Sequence, residues 1–124
     1  MKARVVLLVD DSAEIRELYG RALRDSGLRV GEATSISEAI EVTPRIAPDL
    51  IVLDRHLPDG DGWSVARRLK TEGDARAKRP VIGFSSHRPG AEGGALDAGC
   101  DSFLEKPCAP DSLVKQVHAL LERR

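Results

Sequence analysis

Asp10, Asp11, Asp54, Ser85 and Lys106 are the residues of this 124-residue chain whose types suit a shared chemistry. Three nearby carboxylates repel and raise one another's pKa unless a cation sits among them. A hard divalent ion with oxygen ligands, most naturally Mg2+, meets that need. A lysine and a hydroxyl beside such an ion would neutralise and hydrogen-bond a phosphoryl group. One carboxylate is then the natural nucleophile, and its product is an aspartyl phosphate.

That chemistry requires elements that bring distant positions together. Five apolar runs, at residues 4–9, 29–33, 49–53, 80–84 and 101–104, read as strands. Each is followed by a helical stretch. Ile15, Leu18, Tyr19, Ala22 and Leu23 recur at a helical period, and Ser26-Gly27 ends that helix. Ser35 and Glu38 have capping-box spacing ahead of Ile36, Ala39, Ile40 and Thr43, and Pro44 is expected to end or kink this second helix. Helix three covers 63–72, with Trp63, Ala66 and Leu69 inward, and a polar loop follows to Lys78. Helix four covers 91–98 and carries Gly93 and Gly94, so it is expected to be weak. Leu113, Val114, Val117, Leu120 and Leu121 mark helix five. Strands alternating with helices imply an α/β fold, a (βα)5 doubly wound parallel sheet. Among such orders 2-1-3-4-5 suits five strands, and its ligands bind beyond the carboxyl ends of the strands. Strand one ends in Asp10-Asp11, strand three in Asp54 and strand four in Ser85-Ser86, and Lys106-Pro107 follows strand five.

Each residue has an ordinary reading when taken singly. Asp11 suits an N-cap of helix one, with Glu14 at the third position. Asp54 suits a turn cap, Ser85 a turn hydroxyl and Lys106 a solvated ion pair. All five falling at one edge of one predicted sheet favours the shared site.

Composition narrows the classes. The chain fits one domain, residues 1–124, and 41% apolar residues can build one core. Lys and Arg number 19 against 20 Asp and Glu, a balance that predicts no direct nucleic-acid binding. No stretch approaches the ~20 apolar residues of a membrane span. No secretory signal is legible, so a cytoplasmic location is expected. Cys100 and Cys108 read as free thiols.

The strings LLVDDS (7–12), IVLDRHLPDGDG (51–62), PVIGFSS (80–86) and FLEKP (103–107), in this order, resemble the response-regulator receiver family over nearly the whole chain. The resemblance implies a flavodoxin-like receiver fold and a signalling switch rather than an enzyme. It implies that Asp54 accepts a phosphoryl group from a sensor histidine kinase or a phosphotransfer protein. Asp11 would be a direct Mg2+ ligand, Asp10 would act mainly through water, and the His56 backbone carbonyl would complete the protein's share. Ser85 would follow the phosphoryl group, Lys106 would pair with it, and the Lys106-Pro107 bond is often cis in the family. Phe103 matches the aromatic switch residue of the face built by helix four, strand five and helix five. A downstream protein would read that face, with the chain a monomer or a phosphorylation-dependent dimer. Asp97, Asp101 and Lys115 are charges on that face.

Departures are few. Phe103 lacks a hydroxyl, Ser85 stands where threonine is usual, and Leu57 where methionine is common. His56 and His87 occupy places that influence phosphoryl loss in the family. Asp59 and Asp61 read as turn residues with Gly60 and Gly62. The alternatives are a receiver-like interaction module that carries no phosphate, and a phosphatase. The phosphatase lacks its second aspartate, since His56 stands there. Flavin and dinucleotide binding lack a glycine loop after strand one. The chain itself holds no output domain after helix five, which suits a stand-alone receiver and a domain of a longer protein equally.

Overall fold

A computed structural model describes residues 3–73, 78–86 and 90–122. Five strands form one sheet: β1 (Val5–Val9), β2 (Arg29–Ala33), β3 (Leu50–Leu53), β4 (Val81–Ser86) and β5 (Ser102–Lys106). Their order is β2-β1-β3-β4-β5 and every neighbouring pair is parallel. This is the expected doubly wound, flavodoxin-like α/β fold.

The helices are α1 (Ala13–Asp25), α2 (Ile36–Ile46), α3 (Ala66–Thr71), α4 (Ala91–Asp97) and α5 (Pro110–Glu122). They cover both faces of the sheet, which is why β1 and β3 are apolar at every position. Val6, Leu8, Val52, Ile82 and Phe84 pack with Tyr19 and Leu23 of α1 and Leu113 and Val117 of α5. On the opposite face Leu7, Val9, Ile51 and Leu53 pack with Ala39, Trp63, Ala66, Leu69 and Ala95.

Several expectations need correction. Pro44 does not end α2, which runs two residues further to Ile46. Proline costs a helix one hydrogen bond to the residue four before it. Here the loss falls in the last turn, and the Ala47 N–H still reaches the Thr43 carbonyl at 2.9 Å. Leu18 faces outward, 51% exposed, because Ile15, Tyr19, Gly20 and Leu23 make the inner face of α1. Ser85-Ser86 end β4 as expected, but Lys106 does not follow its strand: it is the last residue of β5, which pairs Glu105 with Ser85 and Lys106 with Ser86. Residues 62–65 form a 3-10 turn, and only then does α3 begin.

Arg79, between the polar loop that ends at Lys78 and the start of β4, is buried. Its Nε donates to the Pro48 carbonyl at 2.9 Å, and its Nη1 donates to those of Leu69 (2.7 Å) and Glu72 (2.9 Å). A buried cation is tolerated because the carboxyl end of α3 presents unpaired carbonyls to it. Arg79 thereby ties α3 to the entry of β3.

Candidate functional site

At the end of β1, Asp10 is held on every side. Its N–H donates to the Ala33 carbonyl at 3.0 Å, and its Oδ1 accepts from the Ser12 N–H at 2.9 Å. Its carbonyl accepts from Arg16 Nη1 at 2.8 Å, and Arg16 Nε is held in turn by Glu32 at 2.9 Å. Ser12, not Asp11, caps α1, through the Ile15 N–H at 3.3 Å. Asp11 is exposed beside Asp10.

Asp54 follows β3 at the same edge, its N–H donating to the Val9 carbonyl at 3.0 Å. Carboxylate oxygens of Asp10, Asp11 and Asp54 lie within 4.8 Å of one another. From β5, Lys106 Nζ pairs with Asp10 and stands 3.5 Å from Asp54 Oδ1. The ammonium also sits over the Phe84 ring, 5.1 Å from its centroid. The tertiary fold thus joins four of the five residues, and Ser85 reaches the same site from β4. Burial raises the Asp54 pKa above the ordinary carboxylate value. Lys106 counters this, Asp10 adds to it, and the His56 N–H and Ser85 favour the ionised form. The Ser85 hydroxyl is nevertheless buried with no partner in hydrogen-bond geometry. Its influence on Asp54 is that of a nearby dipole, not of a formed bond.

The loop after Asp54 is folded tightly beneath it. His56–Leu57 and Gly60–Asp61 form a two-residue antiparallel pair, and His56 is exposed. The Gly62 N–H donates to the Arg55 carbonyl at 2.6 Å. A Cβ at Gly62 would overlap the Asp54 carbonyl oxygen, so only glycine fits. Asp61 caps the 3-10 turn through the Trp63 N–H at 2.9 Å. Asp59 reaches across to the start of α2, accepting from the Ile36 (2.8 Å) and Ser37 (3.0 Å) N–H groups. Neither belongs with the clustered carboxylates, as their turn reading requires.

Those two N–H donors hold the Asp59 carboxyl below its ordinary pKa. A depressed carboxyl pKa contributes stability above the unfolded value, lost as pH falls through the folded one. The native chain is therefore expected to melt higher than Asp59→Ala at neutral pH. The gap in Tm between the two should close as pH drops below the usual carboxylate range. A gap that stays constant with pH would refute the charged cap.

Phe103 is half-buried on the α4 side of β5 and paired in register with Gly83. It meets Trp63 edge-on, with ring centroids 6.3 Å apart. Trp63 needs Gly83, since a Cβ there would come within 2.8 Å of the indole. Asp101 is committed within the fold, accepting from Lys70 Nζ at 2.6 Å and the Val81 N–H at 2.7 Å. It is therefore a structural residue rather than a free charge of an output face. His87 lies outside the described residues. Arg16 and Glu32 were not legible as site residues, because nothing in their local spacing says that α1 and β2 meet at Asp10.

Comparison with known proteins decides the family. The model of the response regulator receiver domain matches residues 6–118. The chain belongs to that family. It is 38% identical over 119 residues to response regulator MprA of Mycobacterium leprae, covering 95% of this chain and 51% of that protein. It is 36% identical over 126 residues to the phosphate regulon transcriptional regulatory protein PhoB of Pseudomonas aeruginosa, covering 99% and 54%. This receiver domain thus spans about half the length of the curated relatives it matches. It superimposes on the receiver domain of Francisella response regulator 1452 with a TM-score of 0.85, 27% identity, and coverage of 97% and 98%. Receiver domains of this family are signalling switches of two-component systems. The expected absence of nucleic-acid contact gains no support, since one relative is by name a transcriptional regulator. Among the described residues no helix is long and apolar enough to cross a membrane.

Proposed function

We propose that this receiver domain takes a phosphoryl group onto Asp54 from a sensor histidine kinase or a phosphotransfer protein. The observation that carries the reading is Lys106, set between Asp10 and Asp54 beside a buried, unpartnered Ser85 hydroxyl. A buried donor without an acceptor is costly unless a ligand supplies one. A phosphoryl group on Asp54 would accept from both Ser85 and Lys106.

The all-oxygen donor set of Asp10, Asp11 and Asp54 fits Mg2+. Asp11 and Asp54 would hold it directly with the His56 carbonyl. Asp10, engaged by Lys106 and Ser12, would act through water. When bound, Mg2+ offsets the charge of the carboxylates and of the incoming phosphoryl group. The Asp54 carboxylate attacks the donor's phosphorus, the phosphorus–nitrogen bond breaks, and the donor histidine leaves with a proton. The product carries roughly -1.5 to -2 charges at Asp54, spread over phosphoryl oxygens, in place of the single carboxylate charge. Ser85 then moves toward the phosphoryl oxygens, and the Phe103 ring turns into the space vacated. This shifts the population between two packings of the α4, β5 and α5 face, which a downstream protein reads. A single domain over residues 1–124, a cytoplasmic location, and a monomer that can dimerise on phosphorylation complete the reading.

The test is intact mass after incubation with acetyl phosphate and Mg2+. The native chain should gain one phosphoryl group, Asp54→Ala should gain none, and EDTA should prevent the gain. No gain in the native chain, with no Mg2+ binding, would leave a receiver-shaped interaction module.

A further inference from the structure

Lys106 is placed by contacts that belong to neither acid. Tyr19, on α1, is buried at 2% exposure. Its hydroxyl donates to the Cys108 carbonyl at 2.6 Å and accepts from the Cys108 N–H at 3.3 Å. One side chain thus holds both backbone groups of the residue two positions beyond Lys106. The same phenol ring stands edge-on to Phe84, with centroids 4.9 Å apart and planes at 79°. Phe84 in turn presents its face to Lys106 Nζ. Backbone and ammonium of the lysine are therefore both referred to Tyr19, one through Cys108 and one through Phe84.

We propose that Tyr19 is a positioning residue for Lys106, holding the start of the β5–α5 connection and the ring beneath the ammonium. The inference rests on the phosphoacceptor reading above. Lys106 carries a long flexible stem, and an untethered ammonium loses entropy each time it meets a phosphoryl oxygen. Fixing the backbone two residues beyond the lysine, and the ring beneath its ammonium, removes part of that loss before the phosphoryl group arrives. The hydroxyl holds the backbone, while the Tyr19 ring holds Phe84. The two contributions separate in Tyr19→Phe, which keeps the edge-on contact and deletes the two hydrogen bonds.

The experiment compares the full native chain with Tyr19→Phe and with Cys108→Ala, whose backbone groups remain available to Tyr19. Amide hydrogen exchange at Lys106 and Cys108, Mg2+ affinity, Tm and the acetyl phosphate reaction are read on each. Tyr19→Phe should exchange faster at Cys108 and need about five- to tenfold more acetyl phosphate for the same rate. Its Mg2+ affinity should be native, because the two deleted hydrogen bonds go to the Cys108 backbone and not to a carboxylate, and Asp10 keeps the Ser12 N–H. Cys108→Ala should behave as native in all four. A Tyr19→Phe chain phosphorylated with native concentration dependence overturns the proposal. So does a variant whose Tm, Mg2+ affinity and reactivity fall together, since that is general loosening. A native chain that gains no phosphoryl group sinks the functional reading, and this inference with it. A normal native chain matched by its variant sinks the inference alone.

Discussion

Gly62→Ala is expected to cost about 3 kcal/mol of stability and to silence Asp54. The added methyl group would overlap the Asp54 carbonyl oxygen, with the Asp54 carbonyl carbon at 3.1 Å and Arg55 Cα at 3.3 Å. Relief by rotation is closed off, because all three neighbours are backbone. Relief by translation is costly as well. Asp54 is tied to β1 through the Val9 carbonyl, and Gly62 is tied to Arg55. Something must break, and the bonds in reach are those that set Asp54 and the loop bearing His56. Denaturant midpoints of the native chain, Gly62→Ala and Gly93→Ala measure this. Gly93 has nothing within 4 Å of an added Cβ, so its variant should be as stable as native or slightly more so. A Gly62→Ala chain with a native midpoint would show that the loop yields freely.

Lys106→Met should reveal the ammonium's two roles by their opposite responses to Mg2+. Without metal, its loss leaves two buried carboxylates, Asp10 at 1% and Asp54 at 6% exposure, facing each other without the cation between them. Breaking a buried pair from one side costs about 3–5 kcal/mol at full burial, and Lys106 at 13% exposure should approach the lower figure. Saturating Mg2+ supplies the missing positive charge, so most of the lost stability should return. The phosphoryl reaction should not return with it. Removing one preorganised charged donor from a reacting oxygen typically costs about 10²–10³ in rate. Thermal melts with and without Mg2+, alongside rates with acetyl phosphate, separate the two. Melting unaffected by Mg2+ in the variant would count against the metal site. A native rate would count against Lys106 as a phosphoryl partner.

The two predictions differ in what made them visible. Lys106 stood out in the sequence because it follows an apolar run and precedes proline, as its partners Asp10, Asp54 and Ser85 follow theirs. Gly62 read only as part of a turn. Its need for glycine lies in a backbone oxygen eight residues earlier, and no turn type predicts that approach. Asp11 shows the opposite case: its spacing to Glu14 also suited a cap, the ordinary reading set against the shared site, but Ser12 took that role and Asp11 lies at the acidic cluster. Pro44 was read as a helix end or kink because local rules count the hydrogen bond it loses. They do not count the burial of Ala39 and Thr43, which keeps that helix on the sheet. Arg79 carried no reading of its own, since charge marks the surface on average. Only the open carbonyls at the end of α3 made an interior site possible.

What the amino-acid sequence determined alone was periodic and local: five apolar runs, the helices between them, and polar residues where the runs stop. Those features follow from each residue's own solvent preference and its spacing to near neighbours, so they survive without knowledge of the fold. Parallel order then carries the strand ends to one edge, and the acidic cluster follows. What only the tertiary structure decided was contact between elements distant in the chain: Arg16 on the Asp10 carbonyl, Tyr19 on Cys108, Phe103 against Trp63 in the space that Gly83 leaves. Such contacts depend on side-chain reach, register and the angle between packed elements, and these are settled only when the two faces of the sheet are filled.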